Sequence, residues 1–319
     1  MKLALAPMEG LVDSHMRTLL TQSGAFDYCV TEFLRISDLL LPNRVFHRIC
    51  PESANDWKTP SGTPVHLQLL GSNPEMMAQN ARRGALLGAP VIDVNFGCPS
   101  KTVNQNRGGS YLLQDPEDIY QILLAMRQAM PEHVPLTAKM RLGYEDKSLA
   151  IENAQAIEAA GASQLCIHAR TKIEGYKPPA HWHWIAKVKE HVNIPITANG
   201  EIWTIDDYRA CQDASGCENI MLGRGAVAMP DLALQIKKMV NKEAYEASDW
   251  TLRIEELLWM LKQTIATGSK KHASNRIKQW LAFLRLSYPQ GQALFDQAKC
   301  LKNSEQMLEL LQNEIHLLS

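Results

Sequence analysis

The chain has 319 residues, with 33 lysine or arginine residues against 34 aspartate or glutamate residues. This near balance excludes a protein that binds polyanions through its overall charge, so any such partner must meet a local basic surface. Seven cysteines without a repeated Cys-x-x-Cys spacing argue against a disulfide framework and a zinc site. We therefore expect a protein of the reducing cytoplasm with no bound metal. The short apolar run at the N-terminus predicts neither a signal peptide nor a membrane span.

Eight short apolar runs along the chain are typical of buried strands. They cover residues 3–6, 26–31, 65–70, 91–94, 136–140, 164–168, 194–198 and 219–222. Helix starts are predicted between them, at Asn73, Asp115, Ser148 and Thr204. Strands that alternate with helices in this way predict a (β/α)8 TIM barrel. A doubly wound sheet is the alternative, but the turn after the first run lacks the Gly-x-Gly-x-x-Gly pattern that such a sheet usually has.

From residue 243 the pattern changes, because apolar residues recur at helical spacing and no strand pattern remains. We predict a barrel over residues 1–242 and a small all-helical C-terminal bundle over residues 243–319. No acidic residue lies between Glu256 and Asp296, whereas this stretch contains His272 and six basic residues, Lys262, Lys270, Lys271, Arg276, Lys278 and Arg285. Many charged runs are only solvated faces, but the complete absence of acids favours a surface that faces a polyanion.

Polar residues follow almost every predicted strand. In a barrel the C-terminal ends of all strands meet at one rim, so these residues become neighbours. They are Glu9, Glu32, Gln68, Asn95 with Cys98, Lys139 with Arg141, His168 with Arg170, Asn199-Gly200-Glu201 and Gly223-Arg224-Gly225. The last two turns follow predicted strands seven and eight, where barrels often bind a phosphate through backbone amides. We therefore predict a phosphate-bearing ligand at this rim, with Arg224 adding charge.

Two side chains of this rim suggest chemistry. Cys98 lies in a Gly97-Cys98-Pro99 turn directly after a buried run, where it is either a small buried hydrophobe or a reactive thiol. Lys139 lies inside an apolar strand, so its ammonium needs a partner. That partner is either a substrate carbonyl, as in a Schiff-base aldolase, or an electron-rich ring whose reduced form is anionic.

The ordered motifs resemble those of the flavin-dependent tRNA-dihydrouridine synthases over the whole barrel, and a helical C-terminal domain also belongs to that architecture. The motifs are Ala6-Pro7-Met8, Gln68-Leu69-Leu70-Gly71, Asn95 to Pro99 with Val103 and Gly108, Lys139-Met140-Arg141, His168 to Thr171 with Tyr176, Asn199-Gly200-Glu201 and Gly223-Arg224-Gly225. Residues 42–51 and 276–281 are most similar to the bacterial C-type branch, whose expected target is the uridine at position 16 of the tRNA D-loop. Ala169, where many members have glycine, and His181, where an acidic residue often precedes the tryptophan, depart from the pattern.

The resemblance implies FMN and NADPH as cofactors and tRNA as the partner of a monomeric protein. Cys98 would be the general acid that protonates C5 of the uracil after hydride reaches C6. The residues implied to bind the cofactor are Pro7, Met8, Glu9, Gln68, Lys139, His168, Asn199, Gly200, Glu201, Gly223 and Arg224. The residues expected to contact tRNA are Arg35, Asn95, Arg170, His272, Arg276, Lys278 and Gln279. The target nucleotide would have to turn out of the folded RNA to reach the site.

Three other functions remain open at this stage. An FMN-dependent dihydroorotate or dihydropyrimidine dehydrogenase would share the barrel and a proton-transfer cysteine, but it would have no use for a basic helical domain. A Schiff-base aldolase would need no flavin. An RNA-binding module without catalysis would leave the polar strand ends without a purpose.

Overall fold

The computed structural model describes residues 1–268 and 270–318, with Lys271 described by its backbone alone. Within that part, nine strands form one parallel sheet. They are β1 (Leu3–Leu5), β2 (Tyr28–Val30), β3 (Leu34–Arg35), β4 (Val65–Leu70), β5 (Ile92–Phe96), β6 (Leu136–Arg141), β7 (Gln164–His168), β8 (Ile196–Asn199) and β9 (Asn219–Leu222). The sheet closes because β1 pairs with both β2 and β9, and β2 pairs with β4.

The closed sheet confirms the predicted TIM barrel. The eight predicted runs correspond to β1, β2 and β4 to β9, with small differences at their ends. Strand β3 was not predicted, because two residues are too few to show an alternating pattern. It pairs with the end of β4, Leu34 beside Leu69 and Arg35 beside Leu70, and so adds a short edge at the rim.

Helices surround the barrel and form the C-terminal region. They are α1 (Ser14–Thr21), α2 (Asn43–Ile49), α3 (Pro74–Leu86), α4 (Lys101–Gln105), α5 (Pro116–Ala129), α6 (Ala150–Ala159), α7 (Trp182–Lys189), α8 (Ile205–Ser215), α9 (Arg224–Ala228), α10 (Leu232–Val240), α11 (Trp250–Ala266), α12 (Lys270–Leu284), α13 (Pro289–Ala298) and α14 (Ser304–Leu318). Two 3-10 helices cover Pro51–Ala54 and Gly109–Gln114. No helix of the described residues combines the length and the apolar composition needed to cross a membrane.

Three of the four predicted helix starts are side-chain caps. Asn73 and Asp115 accept hydrogen bonds from the first turns of α3 and α5, and Thr204 forms a capping box with Asp207 at the start of α8. The prediction for Ser148 is wrong. Its backbone amide and hydroxyl both donate to Asp146 Oδ1, so they form a local turn two residues before α6 begins.

The C-terminal helices pack directly on the barrel. Trp280 of α12 is fully buried, and its indole Nε1 donates to the carbonyl of Val227 in α9 at 3.0 Å. Helix α11 lies against α1, where Gln22 donates to the carboxylate of Glu256. Apolar residues of the barrel and of these helices form one continuous core. The C-terminal region is therefore held to the barrel by buried surface, which stabilises their relative position.

Candidate active site

A cavity of about 520 Å³ opens at the C-terminal ends of the strands. This is within the usual size of a small-molecule or cofactor site, about 300–1,000 Å³. The cavity is lined by every residue predicted to bind the cofactor: Pro7, Met8, Glu9, Gln68, Lys139, His168, Asn199, Gly200, Glu201, Gly223 and Arg224. Cys98, Asn95 and Gln279 line it as well. The fold therefore brings together residues that lie far apart in the sequence.

The register of the strands explains this arrangement. Lys139 lies beside Asn95 on one side and Cys166 on the other, and His168 lies between Arg141 and Asn199. Neighbouring parallel strands thus present side chains at the same height of the barrel.

Hydrogen bonds fix the turn that carries Cys98. The side-chain oxygen of Asn95 accepts from the amides of Gly97 and Cys98, at 2.9 and 2.8 Å. The carbonyl of Cys98 accepts from the side chains of Asn104 and Ser110, both at 2.9 Å. The turn is therefore held from two directions, and the half-buried Cys98 thiol lies at the wall of the cavity.

The electrostatic surroundings keep this thiol protonated. Burial raises the pKa of Cys98 above its ordinary value and Glu9 raises it further, whereas a backbone hydrogen bond and nearby arginines oppose the shift. A thiol must lose its proton to act as a nucleophile but must keep it to act as an acid. The site therefore favours a proton donor at Cys98.

Lys139 meets a neutral partner. Its ammonium donates to the side-chain oxygen of Asn199 at 2.9 Å, and the Asn199 amide donates in turn to the carbonyl of Met221 at 2.8 Å. Among the described residues, no carboxylate forms an ion pair with Lys139. Burial lowers the pKa of Lys139, because the charged form loses hydration in the barrel wall. Negative charge on a bound ring would relieve that cost.

His168 is neutral in this site. Burial lowers its pKa well below the ordinary value, and the positive charges of Arg141, Lys139, Arg170 and Arg224 lower it further. Its Nδ1 atom is buried and has no hydrogen-bond partner among the described residues. A buried polar atom without a partner is uncommon in a folded protein and points to a group that a ligand would satisfy.

On the other side of the cavity, the turns that contain Gly200 and Gly223 expose backbone atoms without a side chain in front of them. Gly200 has φ of +118°, and a Cβ there would lie 3.0 Å from His168 Cδ2, so both its conformation and the space favour glycine. Gly223 also lacks a side chain where it lines the cavity. Next to it, the Arg224 guanidinium lies 4.8 Å from the ring centroid of Tyr176 and 5.1 Å from that of Trp203. Because α9 has only five residues, the positive charge at this end comes chiefly from Arg224.

Arg170 lies behind this wall. Its side chain is fully buried, donates to the carbonyl of Lys177 at 2.7 Å and pairs with the carboxylate of Glu201. Glu201 itself adopts a positive φ of 58°, and its other oxygen accepts from Trp203 Nε1 at 3.1 Å. A guanidinium without exposed surface cannot reach RNA, so Arg170 is no longer among the residues that we expect to contact tRNA. It holds the turn of Glu201 instead.

The other residues expected to contact tRNA differ in their surroundings. Arg35 and His272 are exposed. The side chain of Lys271, from the same acid-free stretch as His272, lies outside the described residues. Arg276 and Lys278 point their charges at backbone carbonyls: Arg276 donates to Gly10 at 3.0 Å and to Leu11, and Lys278 donates to Leu301. Both side chains thus bridge segments of the protein. Gln279 also bonds the carbonyl of Gly10, at 2.9 Å, while it lines the cavity.

Two lining residues were not assigned a role from the sequence. Arg141 donates to the carbonyl of Gly97 at 2.7 Å and to that of Gly175 at 2.9 Å, and its guanidinium lies 5.2 Å from the ring centroid of Tyr176. It therefore joins the Cys98 turn to the loop of Tyr176. Arg141 could have been found from its position two residues after Lys139, which places both on one face of β6. Tyr176 lies in an irregular loop, where the spacing of residues carries no such signal.

Comparisons with known proteins agree over nearly the whole chain. Residues 4–317 match the family model described as Dihydrouridine synthase (Dus). The tRNA-dihydrouridine(16) synthase of Aquipseudomonas alcaligenes is 49% identical over 311 residues, which cover 98% of this chain and 99% of that protein. The protein of the same name from Neisseria meningitidis serogroup B is 46% identical over 316 residues, 97% of this chain and 93% of that protein.

Solved structures share the barrel at low sequence identity. A 2-naphthoyl-CoA reductase in complex with 2-naphthoyl-CoA matches with a TM-score of 0.57 at 13% identity, over 76% of this chain and 50% of that one. An old yellow enzyme homologue from Zymomonas mobilis matches with a TM-score of 0.52 at 11% identity, over 78% of this chain and 91% of that one. At such low identity these likenesses show the fold alone.

Proposed function

This chain belongs to the dihydrouridine synthase family, and from that premise we propose that it reduces the C5–C6 bond of a uridine in tRNA, with FMN and NADPH as cofactors. The observation that carries the proposal is the meeting of three groups in one cavity: the protonated Cys98 thiol, the Lys139 ammonium without a carboxylate partner, and the bare turns beside Arg224. An acid, a cation for an anionic ring and a place for a phosphate are what this reaction requires.

The residues of the cavity fit a flavin phosphate and its ring. His168 Nδ1 offers a buried polar atom that has no partner among the described residues, and the backbone at Gly223 leaves room that a Cβ would fill. Arg224 would hold the phosphate, while Gln68 and Lys139 would bond the polar edge of the ring. Pro7 and Met8 would lie against its surface. When bound, FMN supplies hydride that it has taken from NADPH.

Within this scheme, the chain's own residues handle the proton and the charge. Cys98 keeps its proton through the neutral range and gives it to C5 of the uracil. Asn95 holds the turn in place through the amides of Gly97 and Cys98. Lys139 places a positive charge beside the ring that takes part in the transfer. A neutral His168 donates or accepts a hydrogen bond without adding a further charge.

The position of the uridine follows from the relatives. They bear the name tRNA-dihydrouridine(16) synthase, and we propose the same position for this chain. A base within folded tRNA cannot reach the bottom of a cleft, so it must turn out at a cost of a few kcal/mol that contacts elsewhere offset. Arg35 and His272 are exposed and available for such contacts.

We further propose a monomer that works in the cytoplasm. A reducing compartment is supported by the cysteines, because all seven are free thiols and six of them are buried or half-buried. NADPH is the reductant in this proposal because the family resemblance of the motifs implies it.

A reconstituted reaction tests the proposal. The protein is incubated with FMN, NADPH and an unmodified tRNA transcript, and dihydrouridine is mapped along the product. We expect dihydrouridine at position 16 and none in a matched transcript that carries cytidine there. Free uridine and free dihydroorotate serve as further substrates. Turnover of a free pyrimidine without turnover of the transcript would replace this function with that of a dihydropyrimidine or dihydroorotate dehydrogenase.

A further inference from the structure

Asp93 is a buried carboxylate that the proposed reaction does not use. It lies on β5, where the strand register places it between Gln68 of β4 and Thr137 of β6. Its side chain accepts from Gln68 Nε2 at 2.7 Å and from Thr137 Oγ1 at 2.6 Å. Among the described residues, no cation forms an ion pair with it. A buried carboxylate is costly to the fold, so its place beneath the cavity calls for an explanation.

A chain of hydrogen bonds leads from Asp93 to the Cys98 turn. Gln68 receives a hydrogen bond on Oε1 from Asn95 Nδ2 at 2.8 Å. Asn95 receives hydrogen bonds on Oδ1 from the amides of Gly97 and Cys98. The chain thus runs through two side-chain amides, each of which accepts at its oxygen and donates at its nitrogen.

The groups at the two ends of this series of hydrogen bonds fix which way each amide donates and accepts. At one end Asp93 Oδ2 accepts from the nitrogen of the Gln68 amide, whose oxygen then faces Asn95. At the other end two backbone N–H groups donate, so the oxygen of the Asn95 amide faces Cys98. Turning either amide by 180° would set donor against donor or acceptor against acceptor. An apolar residue at position 93 would remove the constraint at the inner end.

We propose that Asp93 is a positioning residue that orients the amides of Gln68 and Asn95 and, through Asn95, places the Cys98 thiol; this role rests on the proposed function. The orientation also decides what the cavity offers a ligand. Each amide nitrogen has a second hydrogen that the chain does not use, and both residues line the cavity. Gln68 and Asn95 therefore act there as donors, which suits the carbonyl oxygens of pyrimidine rings.

The test uses the full-length protein with Cys300→Ser as the parent. Cys300 is exposed, Cys98 is half-buried and the other five cysteines are buried, so alkylation by iodoacetamide then reports mainly on Cys98 and needs no cofactor. Asp93→Leu removes the acceptor and keeps the same branched arrangement of side-chain heavy atoms. Asp93→Asn keeps an acceptor oxygen for Gln68 and removes the charge. Thr137→Val is the matched control, because it removes the other hydrogen bond to Asp93 and leaves the hydrogen bonds from Asp93 to the Cys98 turn intact.

We expect Asp93→Leu to speed alkylation of Cys98 by about 3- to 10-fold and to slow single-turnover uridine reduction by about 10- to 100-fold, as a misplaced reacting group does. Asp93→Asn and Thr137→Val should remain within about threefold of the parent in both rates, because both preserve the direction of the chain. Equal losses in Asp93→Asn and Asp93→Leu would overturn the proposal, since charge and not orientation would then matter.

A double-variant comparison decides whether Asp93 acts through Asn95. Asn95→Ala interrupts this series of hydrogen bonds at its outer end. Adding Asp93→Leu to the Asn95→Ala variant should therefore slow uridine reduction by no more than about twofold further. If the two substitutions instead reduced the rate of uridine reduction independently, so that their effects multiplied, Asp93 would not act through Asn95. If Asp93→Leu does not fold, Asp93→Ala carries the same comparisons with the same expected results. A parent protein that reduces no uridine would refute the proposed function, whereas the alkylation rates would still decide the role of Asp93.

Discussion

The guanidinium of Arg276 donates to the backbone carbonyl of Gly10 at 3.0 Å, although 266 positions separate the two residues. The same side chain bonds the carbonyl of Leu11 and pairs with Asp13 at 3.2 Å. Gly10 and Leu11 directly follow Pro7, Met8 and Glu9, which line the cavity. Helix α12 therefore holds the loop that leads out of β1.

This contact changes what a variant of Arg276 should do. The sequence places Arg276 and Lys278 among the residues that contact tRNA, and on that basis alanine at both positions would impair tRNA binding and leave reduction of the flavin by NADPH at its normal rate. We now expect Arg276→Ala alone to weaken FMN binding by roughly tenfold, because hydrogen bonds that involve a charged group contribute about 1.5–3 kcal/mol. Lys278→Ala, which only frees the carbonyl of Leu301, should bind FMN as the parent does.

Titration of the apo-proteins with FMN, followed by flavin fluorescence, measures this difference. Filter binding of tRNA at several salt concentrations is the companion measurement, since each lost phosphate contact reduces the salt slope by about one. An Arg276→Ala protein with normal FMN affinity and a reduced salt slope would return Arg276 to the tRNA-contacting residues.

Cys98→Ala should slow uridine reduction by about 10²- to 10⁴-fold, the usual contribution of a positioned general acid. FMN binding and NADPH oxidation by an external electron acceptor should stay close to those of the parent. Single-turnover assays with tRNA measure the first quantity and absorbance of the flavin the second. Cys300→Ala, at an exposed thiol outside the cavity, is the control. Full tRNA activity in Cys98→Ala would remove this thiol from the mechanism.

The pH dependence of uridine reduction should follow the protonation of Cys98. Burial raises the pKa of this thiol, so the acid form persists above the pH at which an ordinary thiol ionises. We therefore expect a rate that is constant through neutral pH and falls only at alkaline pH, by tenfold per pH unit once the thiol ionises. A rate that already declines between pH 6 and 8, measured in single turnover, would assign the proton to another group.

Lys139→Met should lower the reduction potential of bound FMN, because the variant loses the charge that stabilises an anionic reduced ring. A fall of about 30–60 mV corresponds to roughly 1.4–2.8 kcal/mol for a two-electron couple. Redox titration of the purified protein gives this value. Lys172→Met is a suitable control, since Lys172 lies over the ring of Tyr144 at 4.5 Å and does not line the cavity. Equal potentials in both variants would place the Lys139 ammonium away from the ring.

Glu256 should make stability depend on pH near neutrality. Burial raises its pKa to about 7, against the opposing charge of Arg253. Because the folded pKa lies above the unfolded one, this group's contribution is fully present below the unfolded pKa and is lost as pH rises through about 7. Relative to Glu256→Gln, the parent should lose about 1–3 kcal/mol of unfolding free energy between pH 5 and 8, measured by urea denaturation. Parallel curves for the two proteins would contradict the shift.

The barrel and most of the cavity could be predicted because the sequence itself shows where strands end. Buried runs of apolar residues mark the strands, and a polar residue at the end of each run marks the rim. Strand β3 was missed because two residues are too few to show the alternating pattern of a strand. Asp93 was missed because it lies inside such a run, where only the neighbouring strands reveal what it bonds.

The direction of a basic side chain was the harder problem. The acid-free stretch around Arg276 is visible in the sequence, and it pointed to a polyanion. Whether a guanidinium meets a phosphate or a carbonyl depends on which distant segment packs against its helix. For Arg276 that segment is the loop after β1, and for Arg170 it is the turn of Glu201. Charge patterning carries no information about either.

The buried indole of Trp280 bears on any attempt to exchange C-terminal helices between related enzymes. It donates a hydrogen bond to Val227 of the barrel, and the apolar residues around it come from the barrel as well as from α12. A chimera joined near residue 242 would set a foreign helix on this α9 surface and would leave the carbonyls of Gly10 and Leu11 facing new side chains. Grafts intended to redirect the enzyme to another uridine would therefore need to carry the α9 segment and the loop after β1 along with the helices.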